Sequence, residues 1–413
     1  MKVLIANTLY FPDEVGGAEV ATRLLAEGLV KAGIEVCVVC ATGVGDDRSE
    51  EVNGAKVYRL RSSNLYWPHA PGEHSRVAKL IWHAIDVRNT AMSRKLADII
   101  RRERPDIVNT ANLSCLSVDA WRVASNAGVP IVHTIHDYYL LCPTATMLSG
   151  GKPCPSQCGV CSLYAKPKQL ASAQVNAAVG VSGFVLQKHV ESGFFPRAAK
   201  TTVINNCYTP VGDSIGRQDS RRQVANAPVR LGMLGRVLPE KGLELLLEQL
   251  LADKTLNWTL AVGGTGDADY VESIKTKYAD PRVSFLGRVN PPDFLSSIDI
   301  LVVPSVWNEP FGLVVLEAYS HGVPVVGSSM GGIPEIIEPH SNLLFDVARP
   351  ETIIVKIHEA AALLDEPSAH DRLRQHARKF SHDAMINAYV ELYEGMICVE
   401  ERKPSMATGR EAN

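Results

Sequence analysis

Short apolar runs alternate with helical patterns along most of this chain, and no other feature constrains its fold as strongly. The first array of apolar runs covers residues 3–6, 35–40, 107–109, 130–134 and 178–181. The second array covers residues 229–235, 258–262, 283–286, 300–303 and 324–326. Strands that alternate with helices form a mostly parallel sheet whose two faces are both covered. The sequence therefore predicts an α/β protein built from two doubly wound sheets.

The length of the chain also predicts more than one domain. At 413 residues it is longer than a single hydrophobic core of ordinary size supports. Residues 208–228 are polar and include Pro210 and Pro228, which is typical of a linker. The predicted parts are a first domain at 1–207, the linker at 208–228, a second domain at 229–382, a helix at 383–399 and a disordered polar tail at 400–413.

Charge and composition exclude some classes of function. A net charge of −3, with 46% apolar and 21% charged residues, gives no reason to expect a nucleic-acid partner. No apolar stretch reaches the roughly 18 residues of a membrane span, and the first residues predict a strand rather than a signal peptide. Arg101, Arg102 and Arg104 cluster near Arg94 and Lys95, as on a solvated or a membrane-binding helix face. We expect a cytoplasmic protein, with peripheral contact to the inner face of a membrane left open.

The segment from Glu309 to Glu317 follows a buried strand and indicates a site for a nucleotide sugar. A helix is predicted to begin near Gly312, and the first N–H groups of a helix lack internal partners and suit a diphosphate. The two acids would repel phosphate, whereas carboxylates readily accept hydrogen bonds from sugar hydroxyls. A Glu near a helix start is also favourable without any ligand. The backbone groups expected to bind the donor belong to Phe311, Gly312, Leu313 and Val314.

A second anion site is indicated after the first strand of the second array. Gly235 and Arg236 end this strand, and Lys241 opens the next helix. Cations at a helix start oppose its dipole, so Arg236 and Lys241 need an anion such as a diphosphate. Solvated basic residues in a surface loop are the alternative. Gly264, in the turn after the next strand, is expected near the nucleotide.

The first array contributes two further candidates. Gly16 and Gly17 lead into a helix, and their backbone can approach a phosphate closely from the opposite side of a cleft. His136 follows a strand, at the end of the sheet where ligands bind. His133 lies inside that strand and is expected to pack in the core.

These segments together resemble the retaining glycosyltransferases of family 4, which have the two-domain GT-B fold. The resemblance is carried by G-G-x-E at 16–19, H-D at 136–137, G-R-x4-K-G at 235–242, E-x7-E at 309–317 and G-G-x-x-E at 331–335. One departure is Leu343, where the family has glycine after Asn342, so the geometry of this loop is in question. The resemblance implies two Rossmann-like domains that face each other across a cleft, with the helix at 383–399 crossing back to the first domain.

The resemblance also implies a function. It describes an enzyme that moves a sugar from a nucleotide-diphosphate sugar to an acceptor, in polysaccharide, glycolipid or glycoconjugate biosynthesis. The residues expected in catalysis are His136, Arg236, Lys241 and Glu309, and those expected to bind the donor are Gly16, Gly17, Gly235, Gly264, Phe311, Gly312, Leu313, Val314 and Glu317. In this assignment Glu317 holds the ribose, and catalysis requires no cofactor.

The sequence leaves the substrates and two other functions open. The nucleotide base and the sugar cannot be read from it, and the acceptor could be a glycan, a lipid-linked saccharide or a small molecule. A nucleotide-sugar epimerase on the same fold is one alternative function. A non-catalytic protein that binds sugar nucleotides is the other.

Four cysteines within 20 residues form a separate cluster. Cys142, Cys154, Cys158 and Cys161 have the spacing C-x11-C-x3-C-x2-C, inside an insert at 142–161. In a cytoplasmic enzyme such a cluster favours a metal over disulfides, and four thiolates suit a structural zinc. Reduced free thiols are the alternative.

Asp267 and Asp269 form a D-x-D pattern that holds a divalent metal in a different glycosyltransferase fold. They follow a glycine turn at an apparent helix start, where acids are favoured as caps and dipole partners. We expect them to be caps and not metal ligands.

Overall fold

Two parallel sheets form the framework of the protein, as the alternating pattern predicts. The computed structural model describes residues 1–70, 72–208, 227–339 and 342–401. Within these ranges the strands form an eight-stranded sheet, a six-stranded sheet and a two-stranded hairpin. Most of the predicted linker and of the predicted polar tail lies outside the described residues.

The first sheet occupies the amino-terminal half of the chain. Its region contains β1 (Lys2–Ala6), β2 (Glu35–Thr42), β3 (Arg48–Val52), β4 (Ala55–Arg61), β5 (Ile107–Thr110), β6 (Ile131–Ile135), β7 (Leu148–Ser149), β8 (Lys152–Pro153), β9 (Ala177–Gly180) and β10 (Lys200–Val203). The sheet has the order β10-β9-β6-β5-β1-β2-β4-β3, and β7 pairs with β8 in the separate hairpin. Only β3 runs antiparallel to its neighbour in the sheet.

The second sheet is parallel throughout. Its strands are β11 (Val229–Leu234), β12 (Trp258–Gly263), β13 (Val283–Gly287), β14 (Ile300–Val303), β15 (Val325–Ser328) and β16 (Leu344–Phe345). Their order is β13-β12-β11-β14-β15-β16. In each sheet the strand order reverses at the first strand: β1 lies between β5 and β2, and β11 lies between β12 and β14. Such switch points leave a crevice at the carboxyl ends of the strands.

Helices cover both sheets. They are α1 (Gly17–Lys31), α2 (Arg76–Val87), α3 (Thr90–Glu103), α4 (Asp119–Asn126), α5 (Gly159–Ala171), α6 (Gly183–Glu191), α7 (Leu243–Ala252), α8 (Ala268–Lys277), α9 (Pro291–Ser297), α10 (Leu313–Ser320), α11 (Ile333–Ile336), α12 (Thr352–Ala362), α13 (Pro367–Arg378) and α14 (His382–Glu401). All four residues of β14 are buried, which explains why this strand is apolar without alternation. No helix in the described part of the chain combines the length and apolar character needed to span a membrane.

The last helix follows the second sheet in sequence but packs against the first. Ile386 and Tyr389 of α14 belong to the same buried cluster as strands β1 and β2. The Asn109 amide of β5 donates to the Tyr393 hydroxyl at 2.6 Å. The ring of His382 hydrogen-bonds the carbonyl of Leu24 in α1 at 2.8 Å. These contacts connect the end of the chain to the first domain.

The departure at Leu343 has a simple structural explanation. The positive φ of this loop falls on Asn342, at +47°, which is a residue that tolerates left-handed backbone. Leu343 itself is fully buried in the core of the second sheet. A glycine is therefore not needed at position 343.

Helix α1 contains a glycine that its contact with α14 requires. A Cβ added at Gly28 would lie 2.3 Å from Cδ1 of Ile386, whereas one at Gly395 of α14 would meet nothing within 4 Å. Alanine favours a helix interior over glycine by about 1 kcal/mol, but overpacking a core costs about 1–3 kcal/mol.

We therefore expect Gly28→Ala to lower the free energy of unfolding by about 1 kcal/mol or more, and Gly395→Ala to leave it unchanged or raise it. Denaturant unfolding of both variants measures this difference. If Gly28→Ala proved as stable as Gly395→Ala, the close contact between α1 and α14 would be wrong.

Candidate active site

A cavity of about 470 Å³ lies where the carboxyl ends of the two sheets face each other. Loops that follow β1, β5, β6 and β9 of the first domain form one side. Loops that follow β11 and β14 of the second domain form the other. The cavity therefore occupies the crevice that both sheet topologies leave open. Eleven of the thirteen residues predicted for catalysis and donor binding line it: Gly16, Gly17, His136, Gly235, Arg236, Lys241, Glu309, Phe311, Gly312, Leu313 and Val314.

The second-domain wall combines two cations with a helix start. Arg236 is exposed toward solvent, and the described residues offer its guanidinium no ion pair or hydrogen bond. Lys241 Nζ lies 2.5 Å from Glu309 Oε1, which also accepts a hydrogen bond from Ser305 at 2.7 Å. Helix α10 begins at Leu313, so its first N–H groups lie on this wall. The wall presents more positive than negative charge to the cavity.

The first-domain wall is formed by the glycine loop before α1. Glu19 accepts a hydrogen bond from the Gly16 N–H at 2.9 Å, which holds the loop against its own helix. The loop approaches the start of α10 closely, because a Cβ on Gly17 would lie 3.0 Å from Leu313 Cδ1. The glycine loop and the start of α10 therefore lie on facing sides of the same cavity.

His136 lies on the first-domain side and is half-buried. Burial lowers its pKa to about 4, so its imidazole is neutral near pH 7. Its Nδ1 atom has no hydrogen-bond partner among the described residues. The adjacent Asp137 accepts from the Asn112 amide at 2.6 Å and from the Tyr139 N–H at 2.7 Å. His136 is thus a neutral group with an unsatisfied nitrogen beside the cavity.

Hydrogen bonds of the Ser182, Tyr138 and Glu335 side chains join the two domains beside the cavity. The buried Ser182 hydroxyl donates to the carbonyl of Pro310 at 2.6 Å, and the Tyr138 hydroxyl donates to that of Asn308 at 2.8 Å. The carboxylate of Glu335, in the G-G-x-x-E segment, accepts hydrogen bonds from the N–H groups of Gly183 and Phe184 at 2.7 Å each. We refer to these contacts as the interdomain clasp. The clasp uses Glu335 to cap α6 of the first domain.

Comparisons with known proteins agree with this architecture. The pattern described as Glycosyltransferase Family 4 matches residues 15–210, and that of Glycosyl transferases group 1 matches residues 228–362. An uncharacterised 42.6 kDa protein in the cps region of Klebsiella pneumoniae is 31% identical over 397 residues, covering 96% of this chain and 100% of that protein. An uncharacterised glycosyltransferase of Methanocaldococcus jannaschii is 30% identical over 370 residues, covering 83% of this chain and 84% of that one. The chain belongs to glycosyltransferase family 4.

More distant relatives extend the comparison. An O-antigen biosynthesis glycosyltransferase of Escherichia coli is 26% identical over 179 residues, covering 41% of this chain and 49% of that protein. Sucrose-phosphate synthase of Thermosynechococcus elongatus has a TM-score of 0.72 at 17% identity, covering 96% and 99% of the two chains. Anabaena HepE in complex with UDP and glucose has a TM-score of 0.63 at 18% identity, covering 95% and 99%. The glycosyltransferase therefore has the GT-B fold that its sequence predicts.

Two predicted donor-binding residues of the glycosyltransferase do not line the cavity. Gly264 supports the lining residue Gly235, because a Cβ at Gly264 would lie 1.7 Å from the Gly235 carbonyl oxygen. Glu317 lies in α10, and burial raises the pKa of its carboxyl group. Within the described residues this carboxylate has no ion pair or side-chain hydrogen bond.

Some lining residues of the enzyme were not predicted from the sequence. His69 reaches the cavity from the loop between β4 and α2. Trp307 also lines it, and its indole N–H donates to the carbonyl of Thr146 in the first domain at 2.5 Å. Asn112, two residues after the end of β5, was detectable as a polar residue close to a strand end. Nothing in the sequence distinguishes His69 or Trp307 from other loop residues.

The cysteine cluster is only partly assembled. The sulfur atoms of Cys142 and Cys161 lie 3.7 Å apart, and Cys158 is exposed at the start of α5. Cys154 lies just after the β7–β8 hairpin and is half-buried. No group of three or more His, Cys, Asp or Glu side chains in the described ranges is arranged to hold a metal ion. The four-thiolate zinc site therefore stays a prediction, and the four cysteines form no disulfide in this structure.

The two aspartates of the D-x-D segment lie at a helix start, as expected for caps. Asp267 is the N-cap of α8, and its carboxylate accepts from the Tyr270 N–H at 3.0 Å. Asp269 lies in the first turn of the same helix, where its negative charge interacts favourably with the helix dipole. Neither residue lines the cavity.

The neutral state of His136 predicts a pH dependence of stability. Its pKa is about 4 in the folded protein and about 6.5 in an unfolded chain. On acidification the unfolded chain therefore binds the proton first, and stability that is complete above about pH 6.5 is lost as the pH falls toward 4. For this group the loss is about 2 kcal/mol at pH 5.

We expect the Tm of the wild type to fall more between about pH 7 and pH 5 than that of His136→Gln. Calorimetry at both pH values measures this, with His358→Gln, a change in helix α12 far from the cavity, as the control variant. Burial also lowers the pKa values of His83 and His189 to about 4, so His136→Gln removes only part of the decrease in Tm between pH 7 and pH 5. Equal decreases in Tm for the wild type and His136→Gln would contradict the neutral state of His136.

Proposed function

We propose that this glycosyltransferase takes its sugar from a nucleotide-diphosphate donor and retains the anomeric configuration. The observation that carries the proposal is the second-domain wall of the cavity. There Arg236, Lys241 and the first amides of α10 converge, and the guanidinium has no anion to bind within the described residues. A diphosphate supplies the missing negative charge, and Arg binds it as a planar fork.

The same wall stabilises the leaving group. When the bond between the sugar and the diphosphate breaks, negative charge develops on the phosphate oxygen. Fixed cations and helix amides aimed at that oxygen lower the barrier because they need no reorganisation during the reaction. Lys241 is already positioned by its pair with Glu309. We assign Glu309 to the hydroxyls of the sugar and Glu317, whose carboxylate has no protein partner in the described chain, to those of the ribose.

Retention is what the family resemblance implies, and the acids that line the cavity favour front-face attack over a double displacement as its route. Glu19 is occupied by the Gly16 N–H, Asp137 by Asn112 and Tyr139, and Glu309 by Lys241 and Ser305. Each is committed to a structural contact, so none is well suited to form a covalent intermediate with the sugar. We therefore propose that the acceptor attacks the face from which the diphosphate departs, with the leaving phosphate taking the acceptor proton. His136, neutral and unsatisfied, contacts the sugar from the first domain.

We infer that the acceptor belongs to polysaccharide or glycolipid biosynthesis. The relative in Klebsiella pneumoniae lies in a cps region, and the relative in Escherichia coli acts in O-antigen biosynthesis. The direct test is a screen of nucleotide-diphosphate sugars for hydrolysis, followed by mass spectrometry of products formed in a cell lysate. Release of nucleoside diphosphate together with a glycosylated product supports the proposal. An isomerised donor formed without any acceptor would instead indicate an epimerase.

Removing either cation should slow transfer while the fold persists. We expect Arg236→Ala and Lys241→Ala each to lower kcat by about 10²-fold or more, since each loses a charge-assisted contact to the leaving group. Lys254→Ala is the control, because that ammonium contacts only a carbonyl oxygen on the surface of the second domain. Steady-state kinetics with Tm measurements on all three variants checks this. Wild-type turnover in both cavity variants would exclude the assignment of the diphosphate to this wall.

A metal ion would duplicate the charge that the wall already supplies. We therefore expect transfer to continue in EDTA, and Asp267→Asn combined with Asp269→Asn to retain activity within about twofold, since both acids act at a helix start. The assay is donor turnover with EDTA and then with added Mn²⁺. Activity lost in EDTA, restored by Mn²⁺ and absent from the double variant would overturn this view.

A further inference from the structure

Helices α2 and α5 carry an unusual concentration of exposed apolar side chains. Fifteen large apolar residues are exposed in the described part of the chain, and six of them lie on these two helices: Val77, Leu80, Ile81, Val160, Leu163 and Leu170. Their exposed fractions range from 45% to 79%. Single exposed apolar residues are common on soluble proteins, whereas a contiguous set marks an interaction surface.

The six residues belong to one surface. The ring of His83 in α2 packs edge-on against that of Tyr164 in α5, with centroids 5.1 Å apart, so the helices are neighbours. The exposed positions of α2 are spaced i, i+3, i+4, and those of α5 are spaced i, i+3, i+10, which places each set on one side of its helix. Trp82 and Lys168 are buried on the opposite sides. We call these six exposed apolar residues, together with the exposed basic residues of the same two helices, the α2–α5 face.

The charges on this face have one sign. The exposed charged residues of the two helices are Arg76, Lys79 and Lys166. The only acid in either helix is Asp86, which is buried and accepts hydrogen bonds from Tyr139 and a backbone N–H. Glu73, in the loop before α2, is the nearest exposed acid along the chain. An apolar surface that carries only cations complements an anionic lipid bilayer.

The face is rigidly attached to the cavity side of the first domain. Lys168 of α5 is fully buried, and its ammonium donates to the carbonyl of Tyr139, three residues after His136, at 3.1 Å. Trp82 of α2 donates to the carbonyl of Tyr66 at 2.9 Å, in the loop that also carries the lining residue His69. Both helices that carry the α2–α5 face therefore contact segments beside the first-domain side of the cavity through their buried sides.

The basic cluster at the end of α3 does not combine cations with exposed apolar side chains. Arg101 and Arg104 line a different cavity, of about 750 Å³, together with Pro105 and Pro130. Those prolines precede β5 and β6, so this cavity lies at the amino ends of the strands, opposite the candidate active site. None of the fifteen exposed large apolar residues belongs to α3.

We propose that the α2–α5 face docks the enzyme onto a bilayer that contains anionic lipids. The apolar side chains enter the region between headgroups and acyl chains, and the basic side chains pair with the headgroup phosphates. Because both helices of the face contact segments beside the first-domain side of the cavity, docking holds the acceptor side of the site near the lipid surface. This last step rests on the proposed function, and it assigns the acceptor to the lipid-linked saccharides.

The test is sedimentation of the full-length protein with vesicles of phosphatidylcholine alone and of phosphatidylcholine mixed with phosphatidylglycerol. We expect preferential binding to the mixed vesicles, weakened by salt. Leu80→Ser with Leu163→Ser, and separately Arg76→Glu with Lys166→Glu, should each reduce binding about tenfold or more, since both apolar burial and each basic residue contribute. The matched controls are Leu286→Ser with Val355→Ser, which alter similarly exposed residues of the second domain, and Arg101→Glu in the α3 cluster. They should bind as the wild type does.

Equal binding to vesicles with and without anionic lipid would overturn the proposal. Binding that is unchanged by both pairs of substitutions would overturn it as well. A wild type that forms a dimer but does not bind vesicles would also overturn it, if Leu80→Ser with Leu163→Ser dissociated that dimer. The face would then join two copies of the chain. Donor hydrolysis in vesicle-free buffer keeps the two proposals separable. Hydrolysis with no vesicle binding refutes the docking face alone, and vesicle binding with no hydrolysis of any donor refutes the proposed function alone.

Discussion

The loop at residues 307–312 is held from both domains, and the shape of the candidate active site depends on it. Ser182 and Tyr138 of the first domain bind two of its carbonyl groups, and the Gly332 N–H binds the carbonyl of Glu309 from within the second domain at 2.7 Å. The Ser182 contact is buried, so removing it would leave an unsatisfied carbonyl, which costs more than a surface hydrogen bond contributes. Because this loop carries Glu309 and leads into α10, the clasp positions the acid and the helix amides together.

The electrostatics of the cavity follow from that positioning. Glu309 is buried, and a buried carboxylate is costly unless a cation and hydrogen bonds stabilise it. Lys241 and Ser305 provide both. This leaves Arg236 as the cation on the same wall with no protein partner in the described ranges. A ligand with two adjacent negative charges fits such a wall better than a neutral one. The GT-B fold brings these groups together because each follows the carboxyl end of a strand of the second sheet.

Much of the fold could be predicted because the central strands are buried on both faces. All ten predicted apolar runs form strands, and eleven predicted site residues meet in one cavity. The hairpin of β3 and β4 was missed although Asn53 and Gly54, both with positive φ, are a typical hairpin turn. The clasp could not be predicted, since Ser182 and Pro310 are 128 residues apart and nothing local relates them. Likewise, the sequence alone does not tell which side of α5 is exposed, because that depends on which side packs against the first domain.

The proposed function requires that a donor diphosphate bind the wall formed by Arg236, Lys241 and the start of α10. A crystal structure with a nucleoside diphosphate, chosen by its affinity in calorimetry, measures this most directly. We predict phosphate oxygens within hydrogen-bond distance of both cations and of the N–H groups of Leu313 or Val314, with no metal ion between them. A diphosphate bound elsewhere, or held by a metal on Asp267 and Asp269, would contradict the account.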